Sequence, residues 1–173
     1  SVGQNVSCFG ESTGSINVTI VNDELYPYYY SLNNPLNFDN TVLTQTFVVE
    51  DLVAGSYVLY LKDNDNCIDS TSLLVVSQPE LLELNTSSTD VLCNGNSDGT
   101  VSVSINGGLS PYNVSFDGGL TNLLSFDGID TLLVSVGMYD IQVTDQNNCI
   151  KSSQETITQP ISLELEIIEI SRQ

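Results

Sequence analysis

Gly55-Ser56-Tyr57-Val58-Leu59-Tyr60-Leu61-Lys62-Asp63, followed by Asn64-Asp65-Asn66-Cys67, decides the fold because the chain writes it twice. The second copy is Gly137-Met138-Tyr139-Asp140-Ile141-Gln142-Val143-Thr144-Asp145, followed by Gln146-Asn147-Asn148-Cys149. Both read Gly-x-Tyr-x-apolar-x-apolar-x-Asp-x-x-x-Cys. Side chains on an extended segment alternate faces, so Tyr57, Leu59 and Leu61 share one side, as do Tyr139, Ile141 and Val143. The Asp/Asn cluster predicts a turn, since Asx side chains bond their own backbone two residues on. Each copy therefore predicts a half-buried central strand that leads into a hairpin carrying a cysteine.

The duplication divides the 173 residues into two modules, residues 1–79 and 80–160. Residues 161–173 then read as the first strand of a following repeat, or as a sheet-pairing tail. A domain of this size buries only about 60% of its unfolded surface, so a covalent staple is expected. Four cysteines allow three connectivities. The equivalence of the modules favours Cys8–Cys67 and Cys93–Cys149, each closing a loop for roughly 4 kcal/mol in the chain-entropy model. Disulfides imply an oxidising compartment, hence an extracellular or cell-surface protein. No signal peptide is visible, and the chain opens in mid-pattern, as a mature fragment would. No apolar run approaches the ~20 residues of a membrane span.

The net charge of −19 comes from 22 acidic residues against Lys62, Lys151 and Arg172. That sign repels phosphate backbones and anionic lipid, so neither nucleic acid nor a membrane is an expected partner. It leaves divalent cations or a basic partner.

In chain order, Cys8-Phe9-Gly10-Glu11-Ser12-Thr13-Gly14 is a glycine-bounded loop before the alternating strand at residues 15–20. Cys93-Asn94-Gly95-Asn96-Ser97-Asp98-Gly99 answers it, before residues 100–105. Tyr26-Pro27-Tyr28-Tyr29-Tyr30 and Ser110-Pro111-Tyr112 follow, with proline at a strand entry. Residues 31–45 and 117–130 read as surface loops. Short strands are predicted at residues 46–49 and 131–134. After the hairpin, residues 70–76 and 152–158 run out to Gln78-Pro79 and Gln159-Pro160. Leu82-Glu83-Leu84 and Leu163-Glu164-Leu165 then open the next unit as strands; an apolar strand with no module of its own must pair with a sheet edge. Short strands with turn signals every 8–12 residues predict an all-β protein of two tandem immunoglobulin-like β-sandwich modules, each closed by one disulfide.

The combination Cys-x-Gly-x-x-x-Gly-(Ser/Thr)-(Ile/Val), then Pro-Tyr, then the duplicated stretch, closing with Gln-Pro, resembles the SprB repeat. Cys93-Asn94-Gly95 with Asp98-Gly99 fits that family's loop closely; Phe9 and Thr13 depart from it in the first copy. The family's Gly-Gly before Pro-Tyr stands as Gly107-Gly108 in the second copy only. The resemblance implies a module of large surface adhesins of gliding Bacteroidota, exported by type IX secretion. Its implied roles are display, spacing and adhesion, and no reaction; neighbouring repeats of the same or identical chains, and surface polysaccharide, are the expected partners.

Residue chemistry agrees with that expectation. Without histidine, catalytic triads and most zinc sites lack their usual base or ligand. Asp117, Asp127 and Asp130 stand in loops with no partner for a paired-carboxylate mechanism. Calcium is the one cofactor the residues suggest: Glu11, Asp63, Asp65 and Asp69 would gather at one end of the first module if Cys8 bonds Cys67. The bland alternative is an Asx-rich turn. Tyr26, Tyr28 and Tyr30 would share one face and Tyr29 the other, as a sugar-stacking platform or as core. Asn5, Asn17, Asn85 and Asn113 head N-glycosylation sequons, and Asp69-Ser70-Thr71 and Asp130-Thr131-Leu132 resemble an O-glycosylation signal. Two further functions stay open: a spacer in an exported enzyme, and a self-assembling fibre in which the tail pairs with another chain.

Overall fold

Alternating apolar residues make strands along the whole chain, and no helix occurs among the described residues. The computed structural model describes residues 2–21, 27–119, 124–126 and 129–167. Tyr26, Asp127 and the tail beyond residue 167 lie outside them. Two units result, Ser1–Leu81 and Leu82–Gln173.

The first unit contains β1 (Val2–Gln4), β2 (Gly14–Thr19), β3 (Tyr28–Leu32), β4 (Asn40–Val42), β5 (Thr46–Leu52), β6 (Gly55–Tyr57), β7 (Leu59–Lys62), β8 (Ile68–Ser70) and β9 (Leu74–Val76). They form antiparallel sheets in the orders β1-β2-β5, β4-β3-β7-β8 and β6-β9. Val6, Ile16, Val49, Leu52, Leu59 and Val76 make the main core, with Ile20, Tyr28 and Val42 as a second cluster. The central strand is broken at Val58. There Asn33, at φ 56°, takes the Val58 amide on its side chain at 2.7 Å and gives its own amide to the Val58 carbonyl.

The second unit contains β10 (Glu83–Thr89), β11 (Gly99–Asn106), β12 (Tyr112–Ser115), β13 (Leu124–Phe126), β14 (Ile129–Val134), β15 (Gly137–Thr144) and β16 (Ile150–Ile157). Its sheets run β10-β11-β14 and β13-β12-β15-β16. The duplicated stretch is here one unbroken strand, β15, paired with β16 from Gly137↔Ile157 to Thr144↔Ile150. Val101, Val103 and Ile105 of one sheet pack with Val114, Ile141, Val143 and Ile157 of the other in a single core. Period-two alternation on β11 is what turns the first three inward. Fully burying a side chain such as Ile141 contributes about 1.5–3 kcal/mol.

The sheets meet at one seam through polar groups. Thr86 of β10 donates to Glu155 Oε1 of β16 at 2.6 Å, and Ser88 donates to Oε2 at 2.6 Å. The seam therefore ties the first strand of the unit to its last.

The strand directions give each unit two poles. In the second unit β10 and β16 both leave the pole that holds Leu82 and the Asp145 hairpin. Both arrive at the pole that holds Thr158 and the Cys93 loop, where the Val91 amide donates to the Thr158 carbonyl. The first unit is built alike: the Val6 amide donates to the Ser77 carbonyl beside the Cys8 loop, while the Cys67 hairpin closes the far end of β7.

That polarity corrects the expected disulfides. Cys8 and Cys149 are disulfide-bonded, and Cys67 and Cys93 are free and exposed. Cys93 and Cys149 lie at opposite ends of the eight-residue strand β15, roughly 20 Å apart at the usual rise per residue. A disulfide needs Cα atoms within about 7 Å. Cys8 and Cys67 are separated in the same way along β6 and β7. Neither Cys8–Cys67 nor Cys93–Cys149 can close without dismantling its unit.

Two smaller expectations also change. The segments 31–45 and 117–130, read as loops, contain the edge strands β4 and β13. Residues 161–167, read as strand, form none and lie exposed, with Leu163 fully in solvent.

Candidate functional site

The chemistry-bearing residues collect at the poles, so each pole is built from its residues upward. We call the pole where the chain comes in the entry pole and the other the exit pole.

At the entry pole a single aspartate organises the hairpin. Asp145 Oδ1 accepts the amides of Asn147 and Cys149, each at 2.8 Å, and its own amide donates to the Cys149 carbonyl. Asn148 takes φ 66°, a conformation its short polar side chain tolerates. Asp63 repeats every bond: Oδ1 accepts from Asp65 at 2.9 Å and Cys67 at 2.8 Å, with Asn66 at φ 68°. The two differ in depth. Asp145 is 2% exposed, and its Oδ2 accepts the Leu109 amide at 3.0 Å. In the first unit the Asp63 carboxylate stands over the exposed Cys67 thiol and raises its pKa, because a neighbouring negative charge disfavours the thiolate.

At the exit pole the glutamine of each Gln-Pro pair caps the cysteine loop. Gln78 Oε1 accepts the Gly10 amide at 2.9 Å, and Gln159 Oε1 accepts the Gly95 amide at 2.9 Å. Gly10 and Gly95 sit at φ 80° and 82°, where a side chain would be strained. Asn94 adds a bond to the Pro160 carbonyl at 3.0 Å. Asn5 and Asp90 accept the amides of Ser77 and Thr158. Asp90 is held below the usual carboxylate range, chiefly by that backbone donor. Sequence reading noticed the Gln-Pro repeat as a module end but missed its capping role. The signal was there, since both copies keep glutamine beside the proline.

Poles also separate the residues considered for calcium. Glu11 belongs to the exit-pole loop, while Asp63, Asp65 and Asp69 lie at the entry pole. Among the described residues no group of three or more His, Cys, Asp or Glu is placed to hold a metal ion. Asp63 spends Oδ1 on the turn. Asp117 and Asp130 are not brought together either: Asp117 bridges to Asp140, and Asp130 Oδ1 accepts the amide of Thr131 at 2.6 Å.

Tyr28, Tyr29 and Tyr30 divide as alternation predicts. Tyr28 is buried, and Tyr30 packs on Phe47 at 4.9 Å between ring centroids. Tyr29 faces out, where the Lys62 ammonium covers its ring at 5.1 Å and lies 5.2 Å from the Phe38 ring.

One groove opens at the entry pole of the first unit, with a volume of about 450 Å³. Val18, Ile20 and Val21 form one wall, and Leu61, Cys67 and Ile68 the other.

Residues 85–121 match the family model of the SprB repeat. Over that segment the chain is similar to an SprB repeat. The matched segment runs from β10 through the Cys93 loop and β11 to the turn after β12, and so takes in the exit-pole loop. No curated protein and no solved structure matches the chain. SprB repeats occur in Bacteroidota surface proteins, which points to an extracellular setting. The first unit shares with the second both the Asp-organised hairpin and the Gln-capped loop.

Proposed function

We propose that the two units are consecutive non-catalytic modules of a large surface adhesin or fibre, spacing and holding whatever lies beyond them. One observation carries this reading: the second unit takes the chain in and lets it out at opposite poles, and the first unit repeats its Asp-organised hairpin and its Gln-capped loop at the matching ends. A unit of that kind adds length when it is repeated. The orders β1-β2-β5 and β10-β11-β14, each facing a larger sheet, support an immunoglobulin-like sandwich for both. Tyr57 and Tyr139 support it further. Each hydroxyl donates to a backbone carbonyl four residues upstream, Val53 at 2.9 Å and Ser135 at 3.0 Å, in the manner of the tyrosine corner of such sandwiches.

Catalysis has no support in the residues. The chain holds no histidine, and among the described residues Asp63, Asp145 and Asp90 serve turns and loops, Asp140 the β15–β16 pair and Glu155 the β10–β16 seam. Single-molecule stretching of the whole chain, with the disulfide of Cys8 and Cys149 reduced so that both units carry the load, tests the proposal. Two separate unfolding steps of similar length are expected. A single step, or gradual extension without a force peak, would overturn a mechanical role.

A further inference from the structure

Ser31 and Ser115 hold the same place in the two units, three residues after the tyrosine of Pro27-Tyr28 and of Pro111-Tyr112. Tyr28 and Tyr112 are buried inward, so alternation turns each serine to the outer face of its sheet. There Ser31 stands opposite Tyr60 of β7, and Ser115 opposite Gln142 of β15. Yet both serines are buried, at 5% and 1% exposure. The segment after each one folds back onto the sheet.

In the first unit that segment closes with neutral groups. The Ser31 hydroxyl donates to the Asn34 carbonyl, and the Asn33 side chain takes the Val58 amide. In the second unit Asp117 stands in the place of Asn33, and Asp140 in the place of Val58. Asp117 bridges Asp140, whose carbonyl accepts the Gly118 amide at 2.8 Å. The Ser115 hydroxyl has no hydrogen-bond partner among the described residues.

Two features of this arrangement oppose folding. Like charges directly opposite each other across a sheet destabilise it. A buried hydroxyl without a partner forfeits its hydration and gains nothing in return. One divalent cation would answer both. We propose that Asp117, Asp140 and Gln142, with the Ser115 hydroxyl beneath them, form a calcium site on the outer face of the second unit.

The donors are all oxygens, which suits calcium and not zinc. Directly opposite residues carry their Cβ atoms about 4.5–5.5 Å apart. Oxygens each about 2.3–2.6 Å from one calcium ion lie at most about 5 Å from each other, so the bridged pair has the right spacing. Gln154 donates to Asp140 Oδ1 at 2.6 Å, which orients that carboxylate and leaves Oδ2 for an ion. Gly118 and Gly119, at φ 71° and 93°, carry the backbone over the site. A Cβ on Gly119 would run into the side-chain oxygen of Gln142, so only glycine lets the chain pass there. Only two carboxylates converge, and neutral oxygens and water complete the shell. The affinity then falls in the range of extracellular calcium modules, with Kd on the order of 10⁻⁴–10⁻³ M.

The test uses the whole chain, labelled with ¹⁵N and stripped with EGTA. It is titrated with CaCl2 to about 10 mM, tenfold above the weaker end of that range, at constant ionic strength. Amide spectra and the unfolding temperature are followed, with MgCl2 in parallel. The expected result is saturable movement at Gly118, Gly119, Asp140 and Gln142, with an unfolding temperature that rises as the site fills. Magnesium, which dehydrates reluctantly, should do less. Asp117→Asn and Asp140→Asn should each weaken the calcium response at least about tenfold, and their spectra report whether they fold. Ser115→Ala should be no less stable in EGTA, since it removes an unpaired hydroxyl, yet gain less from calcium. No response to calcium overturns the site and leaves a buried water as the partner of Ser115. Movement spread over the acidic surface without saturation, or matched by magnesium, overturns it as screening of the −19 charge. Asparagine variants that bind as the wild type does overturn the assigned ligands.

Discussion

The side chain of Gln159 reaches across 64 residues of sequence to accept the Gly95 amide at 2.9 Å, and so binds the last residues of the second unit to its cysteine loop. Gln78 does the same for Gly10. The bond leaves Gly95 without a partner when the amide group is deleted. Gln159→Ala should lower stability by about 1 kcal/mol, the usual net value of one such bond. Urea unfolding of the whole chain measures it; an unchanged transition for the second unit would show the loop is held by other contacts.

Depth separates the two hairpin aspartates. Asp145 is buried and accepts three amides, whereas Asp63 accepts two in a half-open site. Asp145→Ala should cost about 3 kcal/mol or more, from donors left unpaired in the interior, and Asp63→Ala clearly less. Differential scanning calorimetry resolves the comparison. Equal losses would contradict it.

Acid should loosen the seam between β10 and β16. The hydroxyls of Ser88 and Thr86 hold the Glu155 carboxyl below its ordinary range. A depressed folded value contributes stability above the unfolded pKa of about 4.3, and that stability is lost as pH falls through the folded value. Glu155→Gln should therefore flatten the pH dependence of unfolding below about pH 4.3. A parallel curve for wild type and variant would remove Glu155 from the account.

Cys67 should be a sluggish thiol despite its exposure. The Asp63 carboxylate beside it is the largest cause of its raised pKa, with Asp65 adding to the effect. Alkylation of Cys67 should thus reach half its maximal rate above the usual thiol value of about 8.5. Asp63→Asn keeps the turn's acceptor and removes the charge, so the midpoint should move down. Rates read by mass spectrometry across a pH series decide it; no shift in the variant means the charge is not the cause.

Much of this was legible in local sequence because local rules made it. Alternation at Val101, Val103 and Ile105 named the inward face of β11, and the Asx clusters named both hairpins. The cysteine pairing was not legible, for a physical reason. Counting cysteines within a repeat says nothing of which end of a strand each occupies. Only the course of β15 from Gly137 to Thr144 puts Cys93 and Cys149 far apart. Strands β4 and β13 were hidden because edge strands of three residues carry too little alternation to stand out from loops. The tail failed in the opposite way. Its strand pattern is strong, but residues 161–167 find no edge to pair with in the described chain.

The parallel course of β10 and β16 bears on what happens when the second unit is tugged. A pull between Leu82 and Thr158 drags the two strands in opposite senses along their length. The seven residue pairs that join β10 to β11 must then slide together, where a hairpin pulled from one end would part them singly. Resistance of that kind depends on how many rungs act at once, so each residue added to a first strand toughens its whole unit.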